Sequence, residues 1–266
     1  MSDGEFVTLI VHAVIGSVIW GRYMVALVHN SPLDEFRPLR ALLFCTPIFL
    51  AVSLLLLLQF YAASDVRSSL YLFFYLVMGA AWVGLAIWAV SLLGVDFRDD
   101  VDERQNPAAT VFYLGVMIGF TLAFTGSNFG EGPSWMVVAF CSSLSMGSLL
   151  FLWILVAKLT GALDAVTIDR DTPTGMRLAC LLIACGAILG RAVAGDWEGT
   201  VGALLDFTAF LLPLAVLAAA EIVVGYLVKP RPGAGALYPA PVLRGVLPGL
   251  AYVGFAAWFL VVTGWW

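Results

Sequence analysis

The chain has 266 residues, 62% of them hydrophobic and 12% charged, with a net charge of −5. Ordinary soluble domains are about half apolar and about a quarter charged. Too few polar side chains exist here to cover a soluble globule, so the composition specifies an integral membrane protein, and the acidic balance leaves no basic field to hold nucleic acid.

A helix needs about 20 residues to cross a hydrocarbon core of ~30 Å. Eight apolar runs meet that length: about 6–28, 39–62, 69–94, 107–125, 134–160, 175–194, 200–228 and 242–263. They predict an all-α polytopic membrane protein with eight transmembrane helices. A β-barrel would show short alternating segments, which Leu54–Leu58 contradicts. Pro38, Pro107, Pro173 and Pro241 recur at intervals of 69, 66 and 68 residues. Each follows a polar loop and precedes an apolar run, and proline is tolerated in the first turn of a helix. The expectation is one two-helix hairpin written four times, over residues 1–66, 67–130, 131–198 and 199–266. Units with an even number of helices are parallel repeats, unlike the inverted repeats common in transporters. Ser64 and Ser134 are the expected caps of the third and fifth helices.

Orientation follows from Lys and Arg. The loops inside the hairpins and their flanking helix ends hold Arg37, Arg40, Arg98, Arg104, Lys158, Arg170, Arg177, Lys229, Arg231 and Arg244; the opposite loops hold Arg67, with Arg191 near a helix end. The hairpin loops are therefore expected in the cytoplasm and both termini outside. Trp135, Trp197, Trp265 and Trp266 then fall at the outer interface. Residues Met1–Glu5 are acidic and lack the basic start of a cleavable signal.

Small residues recur at four-residue spacing: Ala80/Gly84, Gly115/Gly119, Gly186/Gly190 and Gly245/Gly249. In lipid such pairs form helix–helix seams, either within the bundle or in a homo-oligomer. Ser142, Ser143, Ser145 and Ser148 predict hydrogen bonds between helices more than a pore lining. Asp206 and Glu221 lie within one run, about 60° apart around the helix, with Pro213 between them as the expected kink. A charge at bilayer depth costs roughly 2.5–3.5 kcal/mol or more and calls for a partner or water. Arg191 matches Asp206 in depth, Arg22 matches Glu221, and His12 lies in the outer half of the first helix. Asp96, Asp99, Asp100, Asp102, Glu103 and Arg104 form the densest charge patch. It reads as a solvated loop with an acidic N-cap, or as a surface for a basic cytoplasmic partner or a cation.

The stretch Leu93–Thr110, with Asn106-Pro107-Ala-Ala followed by Gly115 and Gly119, resembles the bacterial inner-membrane proteins grouped as domain of unknown function 350 (DUF350). Thr167–Met176, around Pro173, resembles them too. The unit of that family is a hairpin in which a short acidic linker leads into a glycine-rich helix. The first unit keeps Leu33–Pro38, and the fourth keeps Pro241 and its glycines but lacks the acids. Relatives have two such units, so the chain resembles a doubled form. The resemblance implies association with membrane-stress proteins of the phage-shock type and with ATP-grasp ligases of polyamine chemistry, and carries no residue roles.

No Gly-x-Ser-x-Gly, His-Glu-x-x-His or phosphate-binding glycine loop is present, so no enzyme activity is expected. The four cysteines lie in apolar runs without a Cys-x-x-Cys spacing, so no metal site is expected, and nothing calls for a cofactor. The expected function is a bacterial inner-membrane scaffold or sensor that recruits a cytoplasmic partner in envelope or membrane-stress homeostasis. The alternative is an ion, proton or polyamine conduit past Arg191, Asp206 and Glu221.

Overall fold

A computed structural model describes residues 1–29, 38–64, 66–132, 134–228 and 240–264. The motif residues Leu33–Arg37, together with Lys229, Arg231, Trp265 and Trp266, lie outside the described residues. The helices are α1 (Asp3–His29), α2 (Pro38–Tyr61), α3 (Ser69–Leu92), α4 (Pro107–Gly126) and α5 (Trp135–Thr160). They continue as α6 (Ala162–Thr167), α7 (Thr172–Ala192), α8 (Thr200–Thr208), α9 (Leu211–Leu227) and α10 (Leu247–Thr263). Two π-helical segments, Phe97–Glu103 and Val242–Val246, precede α4 and α10.

Among the described residues, 7 unbroken helices are long and apolar enough to cross a membrane, and α8 with α9 forms a broken span bent by 43°. The chain is a polytopic all-α membrane protein. Its exposed apolar side chains, such as Phe49, Phe60, Leu212 and Val261, face outward where hydrocarbon replaces water.

Proline opens α2 and α4, stands in the first turn of α7, and precedes the π-helical segment at Val242. The break between α8 and α9 falls about one turn ahead of Pro213. Proline has no N–H for the carbonyl four residues back and its ring collides with that carbonyl. Ala209 and Phe210 instead bond three residues back, to Asp206 and Phe207. The expected serine caps differ from those observed. Ser68, not Ser64, precedes α3; Ser134 precedes α5; and neither Ser68 nor Ser134 accepts a capping hydrogen bond.

The centre of the molecule is the parallel pair α4 and α7, the two most buried spans. Glycines on each bring backbone onto backbone along the whole length: Gly175 meets Ala108, Gly115 meets Ala179, Gly119 meets Leu182 and Gly186, and Gly190 meets Leu122 and Gly126. Without a hydrophobic drive in lipid, this close contact is what holds helices together. Ser142 and Ser145 of α5 add hydrogen bonds across to Ser127 Oγ (2.6 Å) and to the carbonyl of Ala123 (3.1 Å). Helices α2 and α3 pack on α4, α5, α9 and α10 pack on α7, and α1 lies outermost on α3. Trp20 Nε1 donates to the carbonyl of Ala80 (2.8 Å) across the α1–α3 contact, beside Gly84.

The two loops that lead into α4 and α7 close alike at one end of the bundle. Arg104 and Asp169 bond back to the carbonyls of Asp99 and Asp164, and Asn106 and Asp171 bond back to Asp100 and Ala165. Gln105 (φ 50°) and Arg170 (φ 53°) occupy the left-handed region just before the cap. The cap side chains then accept from the new helix: Asn106 from Ala108 and Ala109, and Asp171 from Thr174. Asn106 is fully buried, and its Nδ2 donates to the carbonyl of Val166 (2.7 Å), which ties the two loops together.

Candidate functional site

The charged residues at membrane depth gather between α7, α9 and α10. Glu221 is 0% exposed and Arg177 2%. Arg177 Nε donates to both Glu221 oxygens, at 2.9 and 2.8 Å, and Tyr252 Oη donates to Glu221 Oε2 at 3.0 Å. Arg177 Nη1 donates to the carbonyl of Arg244 at 2.7 Å. That carbonyl cannot receive the ordinary helical N–H four residues on, because Pro248 has none. A sequence feature that breaks the ladder of α10 thus creates the acceptor that orients the arginine. Arg244 Nη1 reaches Asp171 Oδ1 (3.0 Å), and Asp171 Oδ2 accepts from the Thr174 backbone N–H (3.1 Å) and hydroxyl (2.6 Å). Gly245 of the π-helical segment and Gly249 of α10 let this stretch rest on Pro173 and Cys180 of α7. Two opposite charges that deep are tolerated because each is paired and further hydrogen-bonded.

Arg177 also forms part of the wall of a cavity of about 200 Å³ at the end of the bundle that carries the two capped loops. Thr160, Asp164, Asp169, Thr174 and Gly225 line it too. Nε and Nη1 of Arg177 are engaged, while Nη2 meets no acceptor among the described residues. Asp164 and Asp169 are exposed.

Depth matching assigned the wrong partners. Arg22 is exposed on α1, which packs on α3, so it lies on the far side of the bundle from Glu221. Arg177 and Arg244, counted as loop charges, are buried inside the bundle. Arg191 does not meet Asp206: its Nε donates to the carbonyl of Gly264 (3.1 Å), its Nη1 to that of Ala194 (3.3 Å), and it lies over the ring of Phe210. Asp206 lies in the last turn of α8 ahead of the 43° bend, is exposed, and lines a separate cavity of about 70 Å³ at the opposite end of the bundle, with Asn128 and Asp196. His12 Nδ1 donates to the carbonyl of Thr8 (2.7 Å) in its own helix.

The acidic patch is not a solvated loop. Phe97–Glu103 is a π-helical turn in which Asp96 accepts from the N–H of Asp99 (3.0 Å), and Asp100 and Asp102 are buried. Burial pushes the Asp100 carboxyl above its ordinary range, while the Asp96 N–H and Arg104 pull it down. Asp99, Glu103 and Arg104 remain exposed, and Arg98 pairs with Glu103 at 3.0 Å. Among the described residues no group of three acidic, histidine or cysteine side chains is placed to hold a metal.

The family model described as Domain of Unknown Function (DUF350) matches residues 61–193, half of the chain. No curated protein and no solved structure matches.

Proposed function

The chain belongs to the DUF350 family, and from that premise we propose that it is a non-conducting membrane scaffold or sensor that recruits a cytoplasmic partner through its capped-loop end. The observation that carries this reading is the α4–α7 seam. From Ala108/Gly175 to Gly126/Gly190 the central helices touch backbone to backbone, with no room for a methyl group, so the axis of the bundle holds no path. Two of the three charges that a conduit would use are consumed in pairing, Glu221 with Arg177 and Tyr252, and Arg191 with backbone carbonyls; the third, Asp206, lies at the opposite end of the bundle from Glu221.

The loops at the capped end are folded and cross-linked by Asn106, which supports a rigid docking surface rather than a solvated linker. Its exposed charges include Arg98, Asp99, Glu103, Arg104, Asp164, Asp169 and Arg170. With Arg177 and Arg244 removed from the count, eight of the ten basic residues on this side remain against Arg67 and Arg191. That balance supports a cytoplasmic position for this end in an inner membrane, with both termini outside. The partner reading implies a protein of envelope or membrane-stress homeostasis.

The test is flux. Proteoliposomes carrying the purified protein are expected to pass protons, potassium and spermidine no faster than empty liposomes. Flux that Glu221→Gln or Asp206→Asn abolishes, with folding intact, would overturn the reading in favour of a conduit. In the same cells, a partner that crosslinks from Glu103→Cys and not from Glu131→Cys is expected.

A further inference from the structure

The cavity at Arg177 shares its rim carboxylates with the proposed docking surface, but the scaffold reading gives no use to its interior, whose chemistry is divided in a specific way. One wall offers Nη2 of a side chain that is 98% enclosed, with its N–H donors unanswered among the described residues. The guanidinium cannot swing to find another acceptor, because Nε is fixed on Glu221 and Nη1 on the carbonyl of Arg244. Its charge is already balanced by Glu221, so this wall favours an acceptor oxygen without being strongly cationic overall. Two carboxylates, Asp164 and Asp169, line the same cavity, and neither forms an ion pair among the described residues. The helices α5 and α9 both end here, at Thr160 and Leu227. Each places the negative end of its dipole beside the cavity, where α7, starting at Thr172, places its positive end near Nη2. A simple anion meets the two carboxylates; a simple cation leaves the donors of Nη2 that face the cavity without an acceptor.

We propose that this cavity binds a small zwitterion that carries a primary ammonium and an acidic oxygen a few bonds apart. Its oxygen accepts from Arg177 Nη2, and its ammonium lies between Asp164 and Asp169. A volume of about 200 Å³ admits an amino acid or the headgroup of phosphatidylethanolamine. Both present the same two groups, and the site lies at the end of the spans, where lipid headgroups reside. The inference stands apart from the recruitment of a partner and needs no flux.

The experiment uses the full chain. Delipidated protein in detergent is titrated with glycine, O-phosphoethanolamine, acetate and methylammonium, with thermal unfolding as the readout. A parallel set in nanodiscs compares phosphatidylethanolamine, phosphatidylcholine and phosphatidylglycerol by native mass spectrometry. The expected result is that the zwitterions with a primary ammonium bind, and that acetate, methylammonium and phosphatidylglycerol do not. Asp164→Asn with Asp169→Asn, both exposed and so neutral for folding, is expected to weaken binding at least tenfold. Ala165→Leu, which fills the cavity, is expected to abolish it. A preference for free glycine or O-phosphoethanolamine assigns a soluble ligand, and a preference for phosphatidylethanolamine assigns lipid. Binding of none of these compounds overturns the proposal. So does binding that survives the double Asp variant unchanged, or acetate binding as well as glycine.

Discussion

Gly119→Ala tests the central seam. A Cβ at Gly119 would lie 2.5 Å from the carbonyl oxygen of Leu182, 2.8 Å from its carbon and 3.3 Å from the nitrogen of Ile183. The first distance falls 0.9 Å short of the 3.4 Å at which ordinary contact begins. All three atoms are backbone in the middle of α7, so no side chain can turn away, and the helices must part. A gap of roughly 0.5–1 Å forfeits a quarter to a half of each contact it opens, and it opens along a seam that Gly115, Gly126, Gly175, Gly186 and Gly190 share. Overpacking of this kind costs about 1–3 kcal/mol.

Gly147→Ala is the internal control. Gly147 is also mid-helix, in α5, but nothing lies within 4 Å of the added Cβ. Alanine there is expected to be neutral or to stabilise by up to about 1 kcal/mol, because glycine is the poorer helix former. Unfolding of both variants against the parent, by titration of sodium dodecyl sulfate into dodecylmaltoside micelles and followed by circular dichroism, separates the two. Equal midpoints for Gly119→Ala and Gly147→Ala would show that α4 and α7 do not pack backbone on backbone, and the argument against an axial path would go with it.

Glu221→Leu or Arg177→Met alone leaves an uncompensated charge inside the bundle and is expected to destabilise by about 3–5 kcal/mol, whereas Arg177→Met with Glu221→Leu should recover most of that loss. A double-mutant cycle by the same unfolding assay checks it, and purely additive losses would contradict the pairing. Asn106→Ala removes the cap of α4 and the link to Val166, and should lower stability by about 1–3 kcal/mol while increasing protease cleavage in the 97–106 and 162–171 loops. Asp100 has its carboxyl raised by burial, so the folded protein holds that proton more tightly than the unfolded chain. Its contribution is full below the ordinary carboxylate range and is lost as pH rises through the raised value. Asp100→Asn is therefore expected to flatten the fall in melting temperature with rising pH across the acid range; an unchanged slope would assign that dependence to another group.

The helix ends were legible because membrane thickness and proline fix them from the sequence alone. The runs 107–125 and 69–94 became Pro107–Gly126 and Ser69–Leu92. The use of the charges was not legible, for a physical reason. Position along an apolar run gives depth, which is one coordinate, whereas an ion pair needs the angle around the bundle as well. Arg22 and Arg177 stand at similar depth to Glu221, and only the packing of α1 on α3 and of α9 on α7 separates them. One signal was available. Pro248 leaves the Arg244 carbonyl without its usual donor, so a buried donor nearby was required, and Arg177 lies inside the run 175–194 rather than in the loop before it. The π-helical turns at Phe97–Glu103 and Val242–Val246 left no periodic trace over such short lengths.

The part of the chain that the family model matches, residues 61–193, contains the whole α4–α7 seam, both capped loops and Arg177. It does not contain Glu221, Tyr252 or Arg244, which neutralise and orient that arginine. A lone guanidinium at this depth would be costly, so the elements after residue 193 are required by Arg177 as much as they are added to it. The two arrangements also differ in stiffness. The seam is fixed by backbone contact, while α9 begins at a break that Pro213 enforces and meets α7 through Glu221 and the end of α5 through Gly225 at Thr160. Any motion that opens the cavity at Arg177 must therefore be carried by its other walls, α9 or the segment 161–169, against a stationary α7, because moving α7 would break contacts along its entire length.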